Sequence, residues 1–371
     1  MKNYRILYLI GLFIFCIVSG CTQPGTPAQK TSAAPAIPPA AAPAPTPAPT
    51  PAPAAAPAVA TDEFGVPTGD TPPPIPKGYE STQAVYAAIA AGEVKLIEKD
   101  NPAPESIGVV VKKDVEYGRG GDRPLLLDLY LPGDVKEPAP GFIFIHGGGW
   151  SGGERGDYAY YCTRFAKRGY IVATVSYRLS GEAKFPAAVQ DTKCAVRWLR
   201  ANAAANNMDP KRIAVMGGSA GGYLAMMIGY SSDVPELEGD GGNPGVSSRV
   251  NVVINGYGPT DLTAPVAQTA PQVTGFLGKS YADDTDLFRQ ASPITYLTPD
   301  DPPTLIFQGT VDDTVPADQS DLLAKKCAEI GIPYQYVKFE GWPHTLDLAQ
   351  ETNIVCQWYI LDFFKKHLQK K

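Results

Sequence analysis

Histidine is scarce in this chain: 371 residues contain three. Imidazole is the side chain that changes charge near neutral pH, so each histidine can be weighed individually. Basic residues are not in excess. Lysine and arginine number 32 against 38 acids, a formal charge of −6, and a mildly acidic chain lacks the electrostatic footprint of a nucleic-acid binder. Only one long apolar run is present, which excludes a polytopic membrane protein. There is no Gly-x-y period, so a collagen-like chain is excluded. No C-x-x-C or related metal-ligand spacing occurs, the sequence G-x-x-x-x-G-K-[ST] is absent, and no G-x-G-x-x-G opens a helical stretch as a phosphate-binding loop requires.

Proline is present in excess. It numbers 37, and 17 of these fall between Cys21 and Lys77, against a usual share of about 5%. The chain is therefore made of two materials. At the start, Lys2 and Arg5 precede an apolar stretch over residues 6–18, followed by Val18-Ser19-Gly20-Cys21. A basic start, a short apolar region and small residues before a cut site read as a signal peptide over residues 1–20. The tetrapeptide resembles the bacterial lipobox, in which the cysteine is lipidated, so Cys21 is the expected lipid-bearing residue. Residues 21–76 read as an Ala/Pro-rich disordered tether, nearly pure Ala-Pro over residues 40–58. Such a segment buries too little apolar surface to offset its ordering entropy, and its prolines favour an extended chain of about 3.1 Å per residue. The expectation is an exported protein, lipid-anchored at the cell envelope. Thr22, standing where an aspartate would signal retention, points to the outer membrane in a Gram-negative host.

Residues 77–371 then read as one domain. Residues 81–99 suggest a helix. Residues 107–117 and 123–131 alternate apolar and polar positions around Gly118-Arg119-Gly120-Gly121-Asp122, the pattern of a hairpin. Short apolar strands follow at 141–145, 170–175, 212–216, 250–254, 304–307 and 334–339. Helical stretches alternate with them at 158–168, 185–206, 220–230, 317–330 and 348–368. Apolar strands separated by helices indicate a mostly parallel sheet covered on both faces, with ligands beyond the carboxyl ends of its strands. Cys162, Cys194, Cys327 and Cys356 all fall in helical stretches. They allow three disulfide pairings or serve as small buried apolar residues.

Three strand ends carry chemistry. Gly217-Gly218-Ser219-Ala220-Gly221 sits at a strand-to-helix junction, the setting of a nucleophile elbow that exposes the oxygen of Ser219. His146-Gly147-Gly148-Gly149-Trp150 follows another buried strand. Its glycines free backbone N–H groups to meet an oxyanion, and Ala220 N–H is the expected further donor. Of the histidines, His146 belongs to that loop, and His367 lies among Lys365, Lys366 and Lys370. His344, in the loop after the last strand, remains as general base. Its orienting acid comes from the adjacent pair Asp312 and Asp313, and the order serine, acid, histidine is that of the α/β-hydrolases.

These segments resemble the bacterial α/β-hydrolase esterases that include feruloyl and acetylxylan esterases, related to the hormone-sensitive-lipase-like carboxylesterases. The likeness spans residues 109–368. It rests on the two glycine motifs, Ser176-Tyr177-Arg178-Leu179, Phe185-Pro186-Ala187, Asp209-Pro210-Lys211-Arg212-Ile213, Pro259-Thr260-Asp261 and Gly309-x-x-Asp312-x-x-Val315-Pro316. The resemblance selects Asp312 over Asp313. It implies an α/β-hydrolase fold with an antiparallel N-terminal hairpin and small cap insertions at 231–249 and 262–297. It further implies a triad of Ser219, Asp312 and His344 and an oxyanion hole from Gly147, Gly148, Gly149 and Ala220. No metal or organic cofactor is implied. The family usually has histidine at Gln308 and often G-x-G-H where Gly341-Trp342-Pro343-His344 stands. Neither departure is expected to touch a catalytic role, and Trp342 and Pro343 are expected to shape the acyl pocket. Trp150, Tyr177, Tyr257, Phe276 and Leu277 are candidate pocket walls. The expected substrates are acetyl or feruloyl esters on polysaccharide. The alternatives are a small-molecule carboxylesterase or lipase, or a non-catalytic surface-binding lipoprotein of the same fold.

Overall fold

The computed structural model describes residues 60–97, 102–232 and 234–369. The signal peptide, Cys21 and the tether up to residue 59 lie outside the described residues. The compact unit that contains the sheet is Pro57–Lys371.

Eight strands form one sheet in the order β1-β2-β4-β3-β5-β6-β7-β8. They are β1 Val109–Gly120, β2 Arg123–Pro132, β3 Ala139–Ile145, β4 Ile171–Val175, β5 Met208–Gly218, β6 Val252–Gly256, β7 Thr304–Gly309 and β8 Tyr334–Phe339. β1 and β2 pair as the expected hairpin, and β2 runs antiparallel to β4. From β4 to β8 every pairing is parallel. β3 lies between β4 and β5, so the chain reverses direction across the sheet there. Such a switch point opens a crevice at the carboxyl ends of the flanking strands. The loop of residues 146–150 leaves β3 at this crevice and Ser219 leaves β5.

The strands read as unbroken apolar runs because both faces are covered. In β3, Phe142 and Phe144 enter one core with Phe165 and Phe364, while Ile143 and Ile145 enter the other with Val196 and Leu224. β5 divides likewise, Ala214 and Met216 from Ile213 and Val215. Each such ring or branched side chain contributes about 1.5–3 kcal/mol on burial. One layer holds the helices Ala187–Ala201, Ala220–Tyr230 and Asp318–Ile330, and the other holds Thr82–Ala91, Ala159–Lys167 and Gln350–His367. All eleven residues of Ala220–Tyr230 are buried, which explains why that helix is apolar on every side.

Several expected boundaries move. The helix expected over 81–99 stops at Ala91, because Gly92 takes a left-handed conformation (φ 77°) and its N–H caps Ala88 and Ile89. The helix expected over 185–206 runs Ala187–Ala201, with Pro186 as its N-cap. The tether does not reach residue 76. Val66 is buried, Asp62 pairs with Arg168 at 2.6 Å, and Arg164 and Arg168 lie over the Phe64 ring. The Trp358 indole donates to Gly69 O at 3.0 Å. Composition points to disorder here, but a few apolar and charged anchors fasten this end to Arg164 and Arg168 and to the terminal helix. The insertion at 231–249 does not cap the sheet end. Its Glu238 pairs with Lys193 and Arg197 on the helix Ala187–Ala201, and Gly241 O accepts from Arg119 N in β1. The insertion at 262–297 forms the short helices Pro265–Gln268, Pro271–Leu277 and Thr285–Gln290. The four cysteines are free and buried, and burial pushes the Cys327 thiol up to about 12.

Candidate active site

The turn after β5 brings three backbones into contact. A Cβ on Gly221 would stand 2.0 Å from Ile145 O, and one on Gly217 would stand 2.2 Å from the carbonyl carbon of Gly221. Only glycine fits either place. The turn forces Ser219 to φ 57° and ψ −124°, a region that L side chains rarely adopt. Its N–H is spent on Gly256 O at 2.8 Å, which ties the turn to the end of β6. Ser219 is partly exposed while residues 213–218 and 220–230 around it are buried. The helix Ala220–Tyr230 begins at its next residue, so the positive end of the helix dipole faces this oxygen.

The loops after β7 and β8 carry Asp312 and His344, the expected acid and base. His344 Nδ1 meets Asp312 Oδ2 at 2.7 Å. Asp312 also accepts from Gln308 Nε2 at 3.1 Å on Oδ2 and from the N–H groups of Thr314 and Val315, both 2.9 Å, on Oδ1. Every near neighbour of this carboxylate is thus a donor. Nδ1 of His344 carries the proton, and Nε2 is left as an acceptor. Asp313 is exposed. The Tyr257 ring stands edge-on to His344, centroids 4.7 Å apart, and a Cβ on Gly218 would lie 2.5 Å from the Tyr257 hydroxyl. One tyrosine therefore touches both the base and the residue before Ser219.

The loop from β3 completes the arrangement. A Cβ on Gly147 would come within 3.3 Å of Ser219 Cβ. Gly148 and Gly149 sit at φ 101° and 58°, and Gly148 O accepts from the N–H groups of Ser151 and Gly152. Among the described residues, the N–H groups of Gly147, Gly148 and Gly149 donate to no backbone acceptor. Ala220, first in its helix, has no intrahelical acceptor for its N–H. His146 stacks on Tyr177 at 4.4 Å, and burial holds its imidazole below the usual range. The Tyr177 hydroxyl donates to His146 O at 3.0 Å. The arrangement offers a strained, partly exposed serine, a histidine with a fixed tautomer, and unspent N–H donors beside them. This is the equipment of acyl transfer.

The family model BD-FAE matches residues 127–327. The chain belongs to the BD-FAE family. The match takes in Ser219 and Asp312 and ends before His344. Esterase LipQ of Mycobacterium tuberculosis is 32% identical to this BD-FAE chain over 259 residues, which are 67% of this chain. The chain spans only 60% of the length of that relative. Among solved structures, a truncated carbohydrate esterase from gut microbiota is similar with a TM-score of 0.61 and 26% identity, covering 72% of this chain and all of that one. The acetyl ester-xyloside bifunctional hydrolase of Caldicellulosiruptor lactoaceticus is similar with a TM-score of 0.61 and 26% identity, covering 68% of this chain and 95% of that one.

Other expectations about this BD-FAE site are corrected. Trp150, Tyr177 and Tyr257 are only 3%, 1% and 4% exposed, so they are packed supports rather than open pocket walls. Trp150 stacks on Phe276 at 4.5 Å and meets Tyr223 at a right angle. This binds the helix Pro271–Leu277 to the loop from β3. Trp342 is also buried, its indole donating to Pro76 O at 3.0 Å, so it does not shape a pocket. Gln308 touches Asp312, the expected acid, directly. Besides meeting Asp312, its Nε2 donates to Val315 O, and its Oε1 accepts from Ser320 Oγ. A polar residue ending the apolar run of β7 was the available signal. Asp347 gave no signal. Its carboxylate is buried between the hydroxyls of Tyr257 (2.5 Å) and Tyr161 (3.2 Å). Burial pushes this carboxyl up, and the two hydroxyls pull part of the way back.

Proposed function

We propose that this chain is a serine esterase working through an acyl-enzyme. Ser219 Oγ attacks the ester carbonyl carbon while its proton passes to His344 Nε2. Asp312 holds the imidazole in the tautomer that can accept it. The oxyanion is received by the N–H groups of Gly148, Gly149 and Ala220, with Gly147 shaping the loop. Each such donor is worth about 10²–10³ in rate. The proton then moves from Nε2 to the leaving alcohol oxygen as the C–O bond breaks. Water, deprotonated by the same nitrogen, attacks the acyl-enzyme and releases the carboxylic acid and free Ser219. The observation that carries this reading is the 2.7 Å bond between His344 and Asp312, beyond the same carboxyl ends of the strands as the strained Ser219.

The substrates proposed are acetyl or feruloyl esters on polysaccharide, supported by the carbohydrate esterase and the acetyl ester-xyloside hydrolase among the similar structures. A small-molecule carboxylesterase is the second reading, since the relative LipQ is named simply as an esterase, with no polysaccharide in its name. Purified protein is expected to hydrolyse p-nitrophenyl acetate and to release acetate from acetylated xylan or ferulate from methyl ferulate. Turnover of the nitrophenyl ester alone would replace the polysaccharide reading with the second one. Absence of turnover on all three would remove the esterase reading.

We also propose that the protein is exported and held at the envelope by lipid on Cys21, on the support of Val18-Ser19-Gly20-Cys21. The Cys21→Ala protein is expected in the soluble fraction of a cell lysate, with the parent in the membrane fraction. Membrane retention of the variant would count against lipidation.

A further inference from the structure

The pairing of β7 with β8 ends at Gly309 opposite Phe339. Beyond it the two loops leave the sheet and carry Asp312 and His344 without a ladder to hold them. They are first joined to each other. Thr310 N donates to Phe339 O at 3.1 Å, Val311 N donates to Trp342 O at 3.2 Å, and Gly341 N donates to Thr310 Oγ1 at 2.9 Å. A third piece of chain, far away in sequence, then closes over both. Thr82 Oγ1 donates to Val311 O at 2.7 Å, next to the acid. Tyr79 N donates to Gly341 O at 2.8 Å, and the Trp342 indole donates to Pro76 O at 3.0 Å, two residues before the base. The Tyr79 and Trp342 rings meet at 86° with centroids 6.1 Å apart. A Cβ on Gly78 would fall 2.3 Å from Glu340 O, so this segment lies directly on the base loop.

We propose that residues 76–82 are a positioning strap for the acid–base pair, with Thr82 and Tyr79 as its positioning residues. The strap touches neither substrate nor reacting atoms. It supplies the hydrogen-bond partners that Val311 O, Gly341 O and the Trp342 indole need once their loops have left the sheet. Packing alone does not explain this arrangement. The anchors fall on the residue before the acid and on the turn that delivers the base, and Thr82 is 4% exposed. A displacement of one or two ångströms at His344 costs up to about 10²-fold in rate. The strap's effect on turnover rests on the esterase reading, whereas its effect on the His344–Asp312 bond does not.

The test compares Thr82→Val, which keeps shape and loses the hydroxyl, with Thr82→Ser, which keeps the hydroxyl, and with Gly78→Ala, which pushes the strap off the base loop. Ser81 still caps the helix in all three. Three quantities are read: kcat and KM on p-nitrophenyl acetate, the low-field proton resonance of His344 Nδ1, and the unfolding temperature. Thr82→Val and Gly78→Ala are expected to lower kcat about tenfold with KM within about twofold, and to broaden or move the resonance. Thr82→Ser is expected to retain both. Wild-type kcat and an unmoved resonance in Thr82→Val and Gly78→Ala would overturn the proposal. So would failure of Thr82→Ser to restore what Thr82→Val loses. Should the wild type hydrolyse no ester, the resonance still decides the matter: a moved signal keeps the strap while the esterase reading falls.

Discussion

Replacing Asp312 by asparagine is expected to lower kcat by about 10⁴-fold, while Asp313→Asn leaves it unchanged. The size follows from the donors around the side chain. Oδ1 receives the N–H groups of Thr314 and Val315, so an asparagine must place its carbonyl oxygen there. Its NH₂ then occupies the Oδ2 position, facing His344 Nδ1 and Gln308 Nε2. Nδ1 must turn acceptor, the ring proton moves to Nε2, and the nitrogen that should take the serine proton is already protonated. The amide also meets the Gln308 donor head-on, so a drop in unfolding temperature accompanies the loss. Measuring kcat for both variants on p-nitrophenyl acetate checks the assignment. A large loss in Asp313→Asn with a mild one in Asp312→Asn would reverse it.

The second large effect separates activity from stability at one position. Ser219→Ala and Ser219→Gly are each expected to lower kcat by at least about 10⁴-fold. Their stabilities should differ. Ser219 is held at φ 57° and ψ −124°, which costs a residue bearing a Cβ on the order of 1–3 kcal/mol. Alanine keeps that strain, so Ser219→Ala should unfold within about 1 °C of the wild type. Glycine removes the strain, at a cost of about 0.4–1 kcal/mol in added freedom of the unfolded chain. The balance is about 1 kcal/mol of stabilisation, a rise of roughly 2 °C for a domain of this size. Calorimetry on the two inactive proteins reads the difference. Equal unfolding temperatures would show that the turn stores no strain, and wild-type turnover in either would remove Ser219 as the nucleophile.

Much of this site is legible in the sequence because its parts are local. The turn at 217–221, the glycine loop at 147–149 and the loops carrying Asp312 and His344 each announce themselves within a few residues, at the ends of strands whose apolar runs are plain. What stayed hidden depends on partners far along the chain. Asp347 is recognisable only once Tyr257 and Tyr161, 90 and 186 residues away, stand beside it. Trp150, Tyr177 and Tyr257 sit at strand ends, where an aromatic side chain serves equally as pocket wall or as packing, and only burial separates the two. Residues 60–76 have the composition of a disordered tether. Val66, Asp62 and Phe64 nonetheless suffice to dock them, because the terminal helix and Arg168 provide matching surfaces.

The strap also bears on the order in which the molecule is assembled. The bond from Trp342 to Pro76 closes a loop of 266 residues. Against a thirty-residue loop, that is about three doublings, roughly 2 kcal/mol of extra closure entropy. Contacts of such long range form late in folding. The parallel strands from β4 to β8 can be laid down progressively as they leave the ribosome. The strapped arrangement of Asp312 and His344 instead requires segments from opposite ends of the domain. With the strap closing over this pair, recovery of the His344–Asp312 bond is expected to trail recovery of the sheet when the chain refolds.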